Sequence, residues 1–277
     1  SDILTGAAPD LRRPGAGVVA PETIIATVRR ISAVGIAAGP REWMEAAGPA
    51  ITEGFVAPSE GEAGDEAVVK HVLGRLDFWL PDLALVVLDS PVMTETTEAS
   101  PANMSALDAH VSAIWQMMQA RSPGNTVLLV MGDSAGAAIV LAGRGVQASH
   151  GGSLTPGDLT LTVAALLGAP FPSSSSGRVQ FPVLTMSDAV QAEKQVALAQ
   201  QREALADSYL LGIGADATSE MVESDLVVAR SALAAHNTDS AFRLASHSLS
   251  QADAELAAGR AELLESERWS RLPLLVL

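Results

Sequence analysis

Two stretches of the chain, residues 83–88 (Leu-Ala-Leu-Val-Val-Leu) and 127–131 (Val-Leu-Leu-Val-Met), are apolar at every position. A strand with one face in water alternates between apolar and polar side chains. An unbroken apolar run therefore requires cover on both faces, the setting of an inner strand in a parallel sheet. Residues 33–38 read as a shorter strand of the same kind. Helical spacing marks residues 21–31, with Pro21 at the start and Ile24, Ile25 and Val28 on one face; it recurs over 67–79 and over 104–118, closed by the turn Pro123-Gly124-Asn125. Helices alternating with fully apolar strands predict an α/β architecture, a mostly parallel sheet clad by helices on both sides.

The pattern changes after Pro172-Ser173-Ser174-Ser175-Ser176-Gly177, beyond which no strand signal occurs. Residues 189–211, 220–235 and 240–267 predict three helices, separated by Gly212-Ile213-Gly214 and His236-Asn237-Thr238. The expected organisation is an α/β domain over residues 1–182 and an all-α helical domain over 183–266. In residues 267–277, Arg268, Trp269 and Arg271 stand ahead of an apolar run to Leu277, the order in which an interfacial anchor introduces a membrane helix; a short amphipathic tail packed on the domain has the same make-up. Leu198, Leu205, Leu226, Leu233 and Leu249 recur on helix faces, either as a surface that joins other protein subunits or as the inside of a helical hairpin.

Charge and cysteine content narrow the functional classes. With 17 Lys and Arg against 32 Asp and Glu, the net charge is −15, and such a surface repels phosphate backbones. Nucleic acid is excluded as a partner. Cysteine is absent, which removes disulfides, thiolate zinc sites and cysteine nucleophiles, so a metal would rest on His and carboxylates.

The sharpest local motif is Gly132-Asp133-Ser134-Ala135-Gly136 after an apolar strand, the G-x-S-x-G pattern of a nucleophile elbow with Ser134 as a serine esterase's nucleophile. That chemistry also needs an oxyanion loop before the elbow and an acid and a histidine after it. His150-Gly151-Gly152 lies on the wrong side, and Asp225 or Asp239 with His236 or His247 fall in the helical part. A longer series of ordered blocks covers more of the chain: Leu4-Thr5-Gly6-Ala7-Ala8-Pro9, Pro21-Glu22-Thr23-Ile24, the stretch from Pro81 through Asp89-Ser90-Pro91, the strand leading into Gly132-Asp133-Ser134, and His150-Gly151-Gly152 to Asp158 followed by Leu166-Leu167-Gly168-Ala169-Pro170. Together these resemble the alkaline phosphatase superfamily, in its phosphodiesterase and nucleotide-pyrophosphatase branch.

The resemblance implies an alkaline-phosphatase-like sandwich lacking its N-terminal part, and a chemistry in which two metal ions activate a Thr or Ser nucleophile and neutralise phosphate. The nucleophile would lie before Ser1. The Asp and His of the first ligand loop fall on Val92 and Thr96, and the His after Asp133 is replaced by Ser134. Asp133 and His150 remain as residual metal-ligand positions, belonging to different metals. They read equally as a strand-end carboxylate capping the next turn and a loop histidine bonded to backbone. Glu95 and Glu98 read as solvated charges, Asp65 as a helix cap and Asp108 as a helix-face charge.

The expected function is a non-catalytic alkaline-phosphatase-like domain without a cofactor, a structural or accessory subunit of a membrane-associated assembly on the extracytoplasmic face. It would contact other protein subunits through the helical domain and the membrane through a segment beyond Leu277. One alternative is a phosphatase or phosphodiesterase using zinc or manganese, with its nucleophile supplied upstream of Ser1. A second is the Ser134 esterase.

Overall fold

Thr23 opens the first helix: its hydroxyl accepts the Ala26 N–H at 3.2 Å, and α1 (Ile24–Arg30) buries Ile24, Ile25, Thr27 and Val28. The computed structural model describes residues 22–31, 33–89, 101–132, 138–148 and 152–271. Strand β1 (Gly35–Gly39) is buried throughout, and α2 (Arg41–Ala47), β2 (Glu53–Val56), α3 (Gly61–Phe78) and β3 (Leu83–Val86) follow. The three strands form a parallel sheet in the order β2-β1-β3, with Ile36 opposite both Glu53 and Ala84.

Helices cover both faces of this sheet, as expected of an α/β chain. Leu83 and Leu85 pack into the cluster of Ile24, Ile25 and Val28 with Leu161 and Ala165 of α5 (Pro156–Leu167). Val86 and Ala38 pack on the other side against Val68, Val72 and Leu76 of α3 and Ile114 of α4 (Pro101–Arg121). Because successive strand residues face opposite ways, a run apolar at every position serves both layers.

Neither fully apolar run is the inner strand expected of it: among the described residues β3 is an edge strand of the parallel sheet and half-buried, with β1 the inner one, and the second run departs further. Strand β4 (Val127–Met131) pairs antiparallel with β5 (Ile139–Gly143) from Val127↔Gly143 to Met131↔Ile139, in a two-stranded sheet of its own, and its residues are half-buried. Only residues 132–138 link the two strands, and a parallel return requires a dozen or more. Gly143 ends the pair at φ 119°, where an added Cβ would come within 2.1 Å of the Thr126 carbonyl oxygen.

The three C-terminal helices form close to where spacing placed them: α6 (Asp188–Gly212), α7 (Glu220–Ala234) and α8 (Thr238–Arg271). Ser187 caps α6 by accepting the Val190 N–H. Ala192, Val196, Ala199 and Ala206 on α6 face Ala241, Ala245, Leu249 and Ala252 on α8, all at most 4% exposed. Small residues every three or four positions let the two axes approach closely, so that a Cβ on Gly259 would sit 2.4 Å from Leu210 Cδ2. Leu198, Leu226 and Leu249 are buried in this packing, so they do not form an open partner surface. One core cluster runs from Ile24 and Leu161 through Phe171 and Phe181 into Leu198, Leu226 and Leu249.

Candidate functional site

In a parallel sheet, sites gather at the carboxyl ends of the strands, here the segments after Gly39, Val56 and Val86. Their geometry is tight. The Val87 N–H donates to the Ala38 carbonyl and the Ala57 N–H to the Gly39 carbonyl, each at 2.9 Å. A Cβ on Gly39 would lie 2.8 Å from Val87 Cβ, and one on Gly64 would lie 1.9 Å from the Ser59 carbonyl oxygen, so glycine lets the strand exits and the α3 entry meet.

Asp65 sits beneath this rim, 2% exposed. It is not a helix cap: it lies in the second turn of α3, and its Oδ1 accepts the Asp89 N–H at 2.7 Å. The carboxylate thus holds the chain as it leaves β3 toward residues 90–100. It shares a helical face with Val68, Val69, Val72 and Leu76, and an acid at an apolar face position was the sequence signal for burial. Asp108 is exposed on α4, as a helix-face charge should be.

Asp133, Ser134 and His150 lie outside the described residues, as do Val92, Glu95, Thr96 and Glu98. Among the described residues no group of three or more His, Asp or Glu side chains is arranged to hold a metal ion. The block resembling the last ligand loop continues into a helix start: Thr155 and Asp158 form a reciprocal capping box, with the Thr155 N–H on Asp158 Oδ2 at 2.9 Å. The other oxygen of Asp158 accepts the Arg178 N–H at 2.7 Å.

Of the residues weighed as esterase partners, the structure brings Asp225 and His247 together, Oδ2 to Nδ1 at 2.5 Å across α7 and α8. His247 Nε2 lies 3.4 Å from the Gln251 amide nitrogen. The serines beside it bond main chain instead: Ser246 to the Phe242 carbonyl, Ser248 to that of Val222 and Ser250 to that of Ser246. His236 ends α7 in the left-handed region at φ 57°, and Asp239 stands in the first turn of α8. The pair is an interhelical clasp.

Comparison of the chain with protein-family models, curated proteins and solved structures finds no match. Its chemistry has to be read from its own side chains.

A second polar cluster escaped the sequence reading. Arg202 of α6 is 1% exposed; its guanidinium bonds Asp253 of α8 and donates to the Gly177 carbonyl at 2.8 Å, while Arg178 reaches the same Asp253 at 3.0 Å. Burial pulls Arg202 below the ordinary arginine value, and Asp253 offsets part of that shift. The cluster ties residues 177–178 to the helices. Its signal was again a charge at a buried spacing, Arg202 between Ala199 and Ala206.

Proposed function

We propose that this chain is a non-catalytic, alkaline-phosphatase-like protein that serves as a structural or accessory subunit of a membrane-associated assembly on the extracytoplasmic face. The observation that carries the reading is the chemistry of the ligand positions: Val92 offers no donor, Thr96 a neutral hydroxyl and Ser134 no imidazole where the resembling family places Asp and His. Two residual positions, Asp133 and His150, cannot grip a metal tightly without companions. Two described carboxylates support it: that of buried Asp65 accepts the main-chain N–H of Asp89 just after β3, and that of Asp158 caps the start of α5. Carboxylates that hold backbone in this way suit a scaffold.

The deciding experiment is metal analysis of the purified full chain after exhaustive dialysis. The reading expects well under one equivalent of zinc or manganese per chain and no hydrolysis of a phosphodiester substrate. Retention of about two equivalents, the content of a bimetal centre, would overturn it in favour of the phosphohydrolase.

A further inference from the structure

Phe78, the last residue of α3, is 79% exposed, the most open large apolar side chain among the described residues. Leu80 and, past the end of α1, Ile31 are exposed as well, with Trp79 half-buried between Phe78 and Leu80. All of them stand at one end of the parallel sheet, where segments 31–34, 48–52 and 79–82 lead into β1, β2 and β3. Hydrogen bonds hold this end together: Asp82 N–H to the Val34 carbonyl at 2.9 Å, Val34 N–H to Asp82 Oδ2 at 2.7 Å, and the Arg29 guanidinium to the Pro49 carbonyl at 3.2 Å. The three segments contain a single charged residue, Asp82, whose carboxylate is engaged by Val34. In a chain of net charge −15, this end is apolar and without free charge. Lone exposed apolar residues are ordinary, whereas a cluster with an aromatic ring at its tip marks an interaction surface.

The surroundings narrow what it meets. Arg29 and Arg30 stand in the last turn of α1 and Arg75 in that of α3, with Glu45 and Asp77 in the last turns of α2 and α3. Arg30 pairs with Glu22 and Arg75 with Glu53, so this collar is close to neutral. Long arginine stems lie along an apolar layer while their heads stay in water. An uncharged Phe-Trp-Leu-Pro tip beneath such a collar has the make-up of a segment that enters the headgroup boundary of a bilayer, where aromatic rings settle. Among the described residues no helix is long and apolar enough to cross a membrane, so a membrane contact made by them is interfacial. It is shallow too, because main-chain groups of the three segments need water that hydrocarbon lacks. A neutral collar supplies no pull on anionic headgroups, and the net charge of −15 opposes them; the lipid that fits is zwitterionic.

We propose that Phe78, Trp79 and Leu80, with Ile31, make a shallow contact with a zwitterionic lipid surface, at the end of the sheet away from the strand exits. The proposal rests on the membrane-associated part of the reading above and names where this chain touches the membrane; the metal-ligand positions play no part in it. Flotation of the full chain with phosphatidylcholine vesicles, at about 0.15 M and about 1 M salt, tests it. Co-flotation is expected at both, with a blue shift of tryptophan emission that Trp79→Phe removes. Phe78→Ser with Leu80→Ser should lower partitioning about tenfold or more and leave the thermal melt unchanged, because both side chains are open in the folded chain. Should the double variant melt early, Phe78→Ser alone provides the comparison. Val227→Ser with Val228→Ser, open apolar positions on α7, should leave partitioning unchanged. Absence of co-flotation overturns the proposal, as does flotation confined to phosphatidylserine vesicles at low salt, where the arginines alone would account for binding. An equal loss in the α7 variant also overturns it. Equal partitioning of the Phe78 and Leu80 variant overturns this site while leaving membrane association to another segment, and the metal content of the chain tests the non-catalytic reading separately.

Discussion

Asp65 and Arg202 are each charged residues on an otherwise apolar helix face, and each holds main chain: the Asp89 N–H in one case, the Gly177 carbonyl in the other. Asp65→Ala leaves the Asp89 N–H without its acceptor and should cost about 1–3 kcal/mol of unfolding free energy, while Asp65→Asn keeps an acceptor oxygen and should lose less. Equal losses for the two variants in urea melts would show that the hydrogen bond is not what matters. Removing Asp253 strands a buried cation, so Asp253→Ala should cost about 3 kcal/mol, and adding Arg202→Met should recover much of it. Glu203 belongs to a different class. Partial burial, then Asp207 and Glu223, push its carboxyl above the ordinary glutamate value. The folded state therefore holds this proton more tightly than the unfolded chain, and stability falls as pH rises from the ordinary glutamate range through the raised value. Glu203→Gln should flatten that slope and raise stability near pH 7 by no more than about 0.5 kcal/mol, since the side chain is largely solvated.

Among the elements, the helices of the C-terminal part were legible because glycine breaks and helical spacing agree, and α6 starts and ends within a residue or so of where they put it. The α/β layering was legible from runs apolar on both faces. Pairing direction was not: residues 127–131 read as an inner parallel strand because composition reports burial and not the partner, and Ile139–Gly143 drew no strand assignment. Short elements built from mixed residues, such as α2 and β2, were likewise invisible to periodicity. The tight passage at Gly177 was hidden too, since that glycine stood in a stretch read as linker. An added Cβ there would meet the Gly157 carbonyl carbon at 2.0 Å, against the start of α5. Backbone cannot yield as a side-chain tip can. Gly177→Ala should destabilise by about 3 kcal/mol or more, whereas Gly74→Ala, with open space around it, should be neutral or stabilising in thermal melts. The residual ligand positions Asp133 and His150 were read from resemblance alone and lie outside the described residues.

At the scale of the whole molecule, Leu198, Leu226 and Leu249 of the leucines that suggested a partner surface are internal and Leu205 and Leu233 half-buried, while more open apolar side chains on the helices include Met221 at 52%, Val227 at 46% and Val228 at 49% exposed on α7. If the helices carry the assembly, Val228→Lys should weaken association with companion subunits while changing stability by less than about 0.5 kcal/mol. Deleting residues 189–277 is a harsher change. Ala192, Val196 and Leu198 of α6, with Leu226 and Leu249 behind them, share one core with Ile24, Ile25, Leu161, Phe171 and Phe181. Truncation uncovers that apolar surface, and Gly177 and Arg178 lose Arg202 and Asp253 at the same time. Each Å² of apolar surface so exposed costs roughly 25 cal/mol, so losing the cover of several such side chains exceeds the stability of an ordinary domain. The truncated chain should therefore aggregate, or bind an apolar dye and melt without cooperativity. A soluble 1–188 fragment with a sharp thermal transition would show instead that α1, α5 and the sheet close a sufficient core by themselves, and that the helices are an appendage.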